Sequence, residues 1–233
     1  MTVLLTRPKP DSQRIARELE KVGIGSIIWP LTEIVQVEKP ITISDGTDAL
    51  VFTSSHGVRA FAHGNERRDL KVFCVGQRTA ALAQAAGFKD VQSAGGGFDA
   101  LVALLRDAAP ASVFYPRARD ISNDLEAVLR PNRIRCDSQI VYSAQPTTGP
   151  AREVDVALTA GNVDVITIWS RRNAELLSES FSRRSDWRTN RITLLAISQN
   201  AAAGLGNAGF RRIIVASRPN ATQMIAEIRG AVR

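Results

Sequence analysis

The sequence has few of the residues that bind metals or form disulfides: its 233 residues include two cysteines and two histidines. His56 and His63 are seven residues apart, and no cysteine or acidic residue stands at ligand spacing from them, so we expect no metal site. Cys74 lies in a strand-like run and Cys136 in an expected linker strand. We therefore predict two reduced thiols rather than a disulfide.

Signatures of nucleotide and nucleophilic chemistry are also missing. Gly95-Gly96-Gly97 is not the dinucleotide fingerprint, there is no P-loop Gly-Lys-Ser/Thr, and no aspartate pair ends the first strand. A serine or cysteine nucleophile would lack its base. No apolar run is long enough to span a membrane, and the first ten residues contain no apolar leader segment, so we expect a cytoplasmic protein without a membrane partner.

Acidic residues are in the minority. The chain has 30 Lys and Arg against 23 Asp and Glu, a formal net charge of +7 and a pI of about 10.1, which favours an anionic partner. The basic residues form scattered pairs without a long run or interleaved aromatics, so nucleic acid is not the expected partner. These pairs are Arg67-Arg68, Arg171-Arg172, Arg183-Arg184 and Arg211-Arg212.

What the sequence does contain is a duplicated unit. Residues 72–88 resemble residues 194–210 at a constant offset of 122. Asp48–Ser54 pairs in the same way with Asp164–Ser170, and the first strand, from Val3, pairs with the segment from Val113. Identical pairs of the first match include Gln77/Gln199, Ala80/Ala202, Gly87/Gly209 and Phe88/Phe210.

The order of these copies predicts a split domain, because the element that opens the chain recurs at the end of the middle copy. We predict one domain from residues 1–35 and 148–233 and a second, inserted domain from residues 40–137. The linker strands would be 36–39 and 138–147. Two such domains joined by two crossing strands would form a cleft, where ligands commonly bind.

Short apolar runs alternate with helical-period segments, the βαβ pattern of a parallel sheet. Ser26–Val37 is predicted as one extended segment, and Pro30 makes it a linker or edge strand. The fold class is therefore α/β, with two similar doubly wound, flavodoxin-like domains. The other predicted strands are Val3–Thr6, Ala49–Thr53, Val72–Val75, Val91–Ser93, Ser112–Tyr115, Ile134–Ser143, Val165–Trp169, Thr193–Ile197 and Ile213–Ala216. The predicted helices cover residues 11–22, 55–63, 77–86, 98–108, 120–130, 171–181, 199–208 and 220–232.

Ligands of parallel sheets bind at the carboxyl ends of the strands, against helix N-termini. The residues at these ends are small, hydroxylated or cationic, and such a surface favours anions over metals. Serines there also serve as helix N-caps, so a purely structural role is the alternative. The candidate binding residues are Arg7, Ser54, Ser55, Gly76, Gln77, Thr79, Arg117, Ser170, Arg171, Ser198 and Gln199.

With these motifs in this order, the chain resembles the uroporphyrinogen-III synthase family of tetrapyrrole biosynthesis. The resemblance spans the whole chain and includes Leu5–Pro8, Val51–Ser55, Val75–Ala80 and Tyr142. Family members typically have a threonine in the second-copy loop, where this chain has Ser198-Gln199-Asn200-Ala201. A hydrogen bond from that threonine would be displaced or lost here.

The resemblance implies a cofactor-free, monomeric lyase that cyclises hydroxymethylbilane, a linear tetrapyrrole carrying carboxylates on every ring, and that contacts the preceding enzyme transiently. The terminal hydroxyl would leave as water, and ring D would be inverted through a spiro intermediate. Tyr142 would then be the acid that assists departure of the hydroxyl. Its alternative role is packing at the domain junction.

Two other classes of function are open on sequence grounds: a non-catalytic two-domain binding protein and a sensor module for an anionic small molecule. The isomer formed from hydroxymethylbilane would separate them from the enzyme.

Overall fold

The computed structural model describes residues 1–206 and 209–230. Its strands are β1 (Thr2–Leu5), β2 (Gly25–Ile28), β3 (Thr32–Gln36), β4 (Ala49–Phe52), β5 (Lys71–Cys74), β6 (Val91–Ser93), β7 (Ser112–Ala118), β8 (Arg135–Pro146), β9 (Val165–Ile168), β10 (Thr193–Ala196) and β11 (Arg212–Val215). Its α-helices are α1 (Lys9–Glu20), α2 (Ser55–Gly64), α3 (Gln77–Ala85), α4 (Phe98–Ala108), α5 (Leu125–Leu129), α6 (Arg152–Ala160), α7 (Arg171–Ser182), α8 (Gln199–Ala202) and α9 (Ala221–Gly230).

The chain divides by its contacts into two compact units. Unit 1 comprises Met1–Glu33 and Gln145–Arg233, and unit 2 comprises Ile34–Ala144. The sheet of unit 1 has the order β11-β10-β9-β1-β2, and the second sheet has the order β3-β8-β7-β4-β5-β6. The chain passes from one unit to the other within β3 and β8, which are neighbours in the second sheet.

The two sheets have the same strand order if their strands are counted from β9 in unit 1, continuing from β11 to β1, and from β4 in unit 2. Both then have the order 3-2-1-4-5, with parallel pairing throughout these five strands. The ladder registers agree with the sequence pairing: Val3 lies opposite Val165 in unit 1, and Val113 lies opposite Ala49 in unit 2. The sheets are therefore copies of one unit related by circular permutation.

Both faces of each sheet are covered by helices, which is why the central strands are apolar at every position rather than at alternate ones. In β4, Leu50 and Phe52 pack into one core cluster of unit 2, whereas Ala49 and Val51 pack into the cluster on the opposite face. The four residues of β9 are likewise all buried. The prediction of two similar, doubly wound parallel sheets is confirmed.

The helix predicted over 98–108 has the observed bounds, four others are within two residues of theirs, and three need comment. The helix expected over 120–130 is wrong at its start, because Asp124 accepts a hydrogen bond from the backbone N–H of Ala127 and α5 begins only at Leu125. The helix expected over 199–208 ends as a 3₁₀ turn, Ala203–Leu205, and positions 207–208 lie outside the described residues. The last helix was expected over 220–232, and residues 231–232 also lie outside the described part.

Two further expectations need correction. The single extended segment predicted over Ser26–Val37 is two strands, β2 and β3, separated at Pro30. Helix α6 was not predicted at all. Its start has no side-chain cap, although Val154, Ala157 and Leu158 form the buried face of an ordinary amphipathic helix.

Candidate functional site

The residues predicted to bind anions lie where parallel strands end, each set at the carboxyl edge of its own sheet. In unit 2, Ser54 and Ser55 follow β4, Gly76, Gln77 and Thr79 lie where β5 leads into α3, Arg117 lies near the end of β7, and Tyr142 lies in β8. In unit 1, Arg7 follows β1, Ser170 and Arg171 follow β9, and Ser198 and Gln199 follow β10.

Three of the predicted serines are helix N-caps. The hydroxyl of Ser54 accepts from the N–H of His56 at 3.1 Å, that of Ser170 from the N–H of Asn173 at 3.1 Å, and that of Ser198 from the N–H of Ala201 at 3.2 Å. Each cap satisfies one of the free donors in the first turn of its helix. The structural role that the sequence left open is therefore present in both units.

The loops after β5 and β10 correspond in the two copies but carry their hydroxyl groups at different positions. Thr79 in unit 2 corresponds to Ala201 in unit 1, and Gly76 corresponds to Ser198. Gly76 and Ser198 have nearly the same extended backbone, with φ of −158° and ψ of 166° and 165°. The hydroxyl thus stands in the first turn of the helix in unit 2 and at the N-cap in unit 1.

The predicted arginines differ in how far they are already engaged. Arg7 donates to Asp11 at 2.7 Å, a carboxylate with no exposed surface, and lies 4.7 Å above the ring centre of Trp169. Arg117 donates through Nε to Ser138 at 3.0 Å and through a terminal nitrogen to the carbonyl of Ala118 at 3.1 Å. These contacts fix the position of both guanidinium groups.

Arg171 is held less firmly than the other two predicted arginines. It pairs with Glu175 at 3.2 Å, but more than half of its side chain is exposed. An exposed i, i+4 pair of this kind contributes little to stability, so Arg171 is the most available of the three to an incoming anion.

Tyr142 is buried beside a cavity of about 300 Å³ in unit 2. Its ring centre is 5.8 Å from that of His56, and Ser54 lies near enough to its hydroxyl to lower the pKa of the phenol. A second phenol, Tyr115, lines the same cavity, and its hydroxyl is 2.8 Å from Oγ1 of Thr53. The cavity is also lined by Val75, Phe98, Ala118, Asp120, Ile121, Ser122 and Asn123.

Both phenols are held in the protonated form at neutral pH. Burial raises the pKa of Tyr142 above its ordinary value, the hydrogen bond with Ser54 lowers it in part, and the neighbouring Tyr115 raises it. Burial likewise raises the pKa of Tyr115, whereas the hydrogen bond with Thr53 and the charge of Arg117 lower it. Since desolvation disfavours the phenolate, both groups can donate a hydrogen bond, and the raised pKa makes each a weaker acid than an exposed tyrosine.

A glycine lets the start of α2 approach β7 closely. A Cβ on Gly57 would lie only 2.9 Å from the carbonyl oxygen of Pro116, whereas its distance of 3.9 Å from Cε1 of Tyr142 is an ordinary contact. The corresponding residue of unit 1 is Asn173, which is 4% exposed, accepts from the hydroxyl of Thr6 at 2.7 Å and donates to the Thr6 carbonyl at 3.3 Å. The duplicated position therefore carries a hydrogen-bonded amide in unit 1 and no side chain in unit 2.

Sequence reasoning missed Thr53 and Tyr115 as site residues. Both stand at strand ends in the pattern, but the pair is 62 positions apart along the chain, and only the parallel pairing of β4 with β7 brings the two side chains together. A usable signal was present: Tyr115 is one of only two tyrosines in the chain, and the other is Tyr142.

Metal-binding clusters and membrane-spanning helices are both absent from the described part of the chain. Within residues 1–206 and 209–230, no group of three or more His, Cys, Asp or Glu side chains lies close enough to bind a metal ion. No helix in that part of the chain is long and apolar enough to cross a membrane.

The fold and the site define a class: a duplicated, permuted α/β protein with hydroxyl and cationic groups at its sheet edges and two phenols in one cavity. Residues 13–226 match the family model described as uroporphyrinogen-III synthase HemD. This match covers most of the chain, which therefore belongs to the uroporphyrinogen-III synthase family.

Individual relatives agree with this assignment. The chain is 28% identical over 137 residues to uroporphyrinogen-III synthase of Salmonella typhimurium, an alignment that covers 57% of this chain and 55% of that protein. The fold matches uroporphyrinogen-III synthetase of Helicobacter pylori, with a TM-score of 0.65, 16% identity and coverage of 100% and 99%. It also matches a mutant uroporphyrinogen III synthase of Thermus thermophilus, with a TM-score of 0.57, 18% identity and coverage of 100% and 98%.

Proposed function

We propose that this protein is a uroporphyrinogen-III synthase, a lyase that converts hydroxymethylbilane into uroporphyrinogen III with loss of water and inversion of ring D. The observation that carries the proposal is Tyr142, a buried phenol close to Ser54 and beside a cavity, in a chain of this family. A phenol held protonated at neutral pH has the proton that a departing hydroxide needs.

The reaction begins with departure of the terminal hydroxyl. In the proposed step Tyr142 donates a hydrogen bond or its proton to that oxygen, which leaves as water, and the pyrrole nitrogen supplies the electrons. The resulting azafulvene cation is attacked by the substituted carbon of ring D, and the spiro intermediate fragments and recloses with ring D inverted. The protein's task is to favour this closure over the direct one by holding the chain in one geometry.

Substrate binding requires groups that receive several carboxylates. The candidates are the helix N-termini after β4, β5, β9 and β10, whose first-turn N–H groups favour anions, together with Arg7, Arg117 and Arg171. Arg171 is the most exposed of these arginines, whereas Arg7 and Arg117 are already held by Asp11 and Ser138. Arg7 and Arg117 would contribute charge without needing to move.

We further propose that the enzyme needs no cofactor and works in the cytoplasm. Cys74 and Cys136 are both free thiols, which is consistent with a reducing compartment. Because hydroxymethylbilane also closes without an enzyme, transient contact with the preceding enzyme would shorten the time that the substrate spends in solution.

The test is the isomer formed from hydroxymethylbilane by the purified protein and by its Tyr142→Phe variant. Phenylalanine keeps the packing of the ring, so the free energy of unfolding should change by about 1 kcal/mol or less, the size of one hydrogen bond. Turnover should fall by roughly tenfold to a thousandfold, the usual range for a positioned acid. The product should shift from the type III to the type I isomer.

Ser182→Ala is the matched control, since it removes an exposed hydroxyl of unit 1 that donates to the carbonyl of Glu179. It should keep both the parental rate and the type III product. A parent protein that yields only the type I isomer at the uncatalysed rate would contradict the proposed function and favour a binding or sensor protein. If a folded Tyr142→Phe variant has the parental turnover rate and makes the type III isomer, Tyr142 serves only in packing.

A further inference from the structure

The two tyrosines of the chain lie together. Tyr115 comes from β7 and Tyr142 from β8, and both line the cavity of about 300 Å³ in unit 2. Their rings belong to different core clusters, on opposite faces of the sheet. They therefore approach the carboxyl end of the sheet from two sides.

Successive residues at the end of β4 hold the two hydroxyl groups. Thr53 contacts the hydroxyl of Tyr115 at 2.8 Å, and Ser54 lies close to that of Tyr142. Neighbouring residues of an extended chain point to opposite faces, so this arrangement follows directly from the Thr-Ser sequence. The result is two phenol–hydroxyl pairs side by side.

The Thr53–Tyr115 pair keeps one O–H hydrogen available in either orientation. Each hydroxyl has one hydrogen, and the bond between them uses one of the two, whichever group donates. Within the described residues, this is the hydrogen bond that each of these hydroxyls makes. A ligand atom in the cavity can therefore accept the second hydrogen.

The charge near this pair suits an anionic acceptor. Arg117 follows Tyr115 by two residues, so the two side chains lie on the same face of β7, and Arg117 is fixed by its bond to Ser138. Asp120 is the one carboxylate among the residues that line the cavity, and it is exposed. Arg117 is not among the residues that line the cavity, so the spare O–H makes the direct contact. The guanidinium acts on Tyr115 only through its nearby charge, which favours a carboxylate over a neutral group.

We propose that Tyr115, together with Thr53, binds one carboxylate side chain of the tetrapyrrole, a substrate contact distinct from that of Tyr142. This inference rests on the proposed function, which supplies the substrate. Tyr142 then acts on the leaving hydroxyl while the Tyr115 pair holds a pyrrole ring in place. Tyr115 is accordingly a binding residue for the substrate.

The kinetic test compares Tyr115→Phe, Thr53→Val and Thr53→Ser with the parent. A contact made equally in the ground state and the transition state affects KM rather than kcat. We expect the double variant Tyr115→Phe/Thr53→Val, which has neither hydroxyl, to raise KM for hydroxymethylbilane by roughly tenfold to a hundredfold, the range for a hydrogen bond to a charged group. Each single variant should raise KM less, because the remaining hydroxyl still has a hydrogen to donate to the ligand. Thr53→Ser keeps the hydroxyl and should restore a KM close to that of the parent.

The double variant should be clearly worse than either single variant, because only the double variant removes every hydroxyl hydrogen of the pair. An unchanged KM in the folded double variant would overturn the proposal. A loss of stability without a change in KM would also overturn it, since that is the result of a purely structural pair. Loss of type III synthesis in the parent itself would instead contradict the proposed function.

A binding measurement independent of turnover uses the Tyr142→Phe protein, in which Tyr115 is the remaining tyrosine. With Cζ-labelled tyrosine, it should show a single carbon resonance, which we expect to move on addition of uroporphyrin III. The same experiment in the Thr53→Val background should show a smaller movement at equal ligand concentration. A resonance that stays in place while uroporphyrin III binds would overturn the assignment.

Discussion

Gly57 should not tolerate a methyl group, although it lies in a helix. An added Cβ would be 2.9 Å from the carbonyl oxygen of Pro116, whereas ordinary contacts of Cβ atoms begin at 3.4 Å. The shortfall of about half an ångström must be relieved by movement. The obstructing atom belongs to the backbone of β7, which is paired with β8 on one side and β4 on the other.

The expected magnitude follows from two opposing effects. Overpacking of this kind costs about 1–3 kcal/mol, whereas replacing glycine by alanine within a helix contributes about 1 kcal/mol of stability. We therefore expect Gly57→Ala to lower the free energy of unfolding by about 1 kcal/mol, and by up to about 2 kcal/mol.

The same helix offers a matched control. At Gly64, the last residue of α2, an added Cβ would be 3.0 Å from Cδ1 of Ile41, the end of a flexible side chain. Gly64→Ala should stay within about 0.5 kcal/mol of the parent, because Ile41 can rotate away and the helix gains from alanine. Urea unfolding followed by far-ultraviolet circular dichroism measures both variants.

Gly57→Ala should also affect the reaction. The added atom would be 3.9 Å from Cε1 of Tyr142, so relief of the clash moves the start of α2, and with it Ser54, relative to the phenol. We expect the type III fraction to fall in Gly57→Ala and to stay parental in Gly64→Ala. A Gly57→Ala variant that is at least as stable as Gly64→Ala and makes the parental product would refute the steric explanation.

Two further predictions concern alkaline pH and salt. Burial raises the pKa of both Cys74 and Cys136 to about 12, so each thiol stabilises the fold fully below the unfolded-state pKa and loses this contribution as pH rises toward 12. Urea midpoints should fall from pH 8 to pH 10.5 by less in Cys74→Ala than in the parent, and equal slopes would contradict the assignment to this thiol. Binding of uroporphyrin III should weaken as salt is added, because exposed charges such as that of Arg171 are screened over about 8 Å at physiological ionic strength. Salt-independent binding would mean that backbone N–H groups carry the recognition.

The parallel sheets were predictable because their signal is local and repeated. Each buried strand is a short apolar run followed by a small or hydroxylated residue, and the two copies gave the same pattern at fixed offsets. Residues such as Ser54 and Ser170 could be placed at strand ends for that reason. Helix α6 escaped because its first turn carries no cap, and α5 was placed too early because Asp124, its cap, lies in the middle of a plausible helical segment.

The contacts at the site were less predictable because they join residues far apart in the chain. The spacing of Arg7 and Asp11 allows an i, i+4 pair, but the complete burial of Asp11 depends on packing within unit 1. The pairing of Thr53 with Tyr115 depends on the register of β4 against β7. A sequence pattern can place each of these residues at an edge of the sheet, but it cannot specify which hydroxyl faces which.

The circular permutation of the two sheets determines the order in which they can form during synthesis. Strand β1 lies between β2 and β9 in unit 1, so Val3 cannot meet Val165 until 162 further residues have been made. Unit 2, Ile34–Ala144, is continuous, and every strand of its sheet from β3 to β8 is translated before β9 begins at Val165. The ribosome therefore carries all the strands of the second sheet while β1, whose only available neighbour is β2, still awaits β9. The open edge of β1 is then the surface that a chaperone or an early misfolding event would meet first.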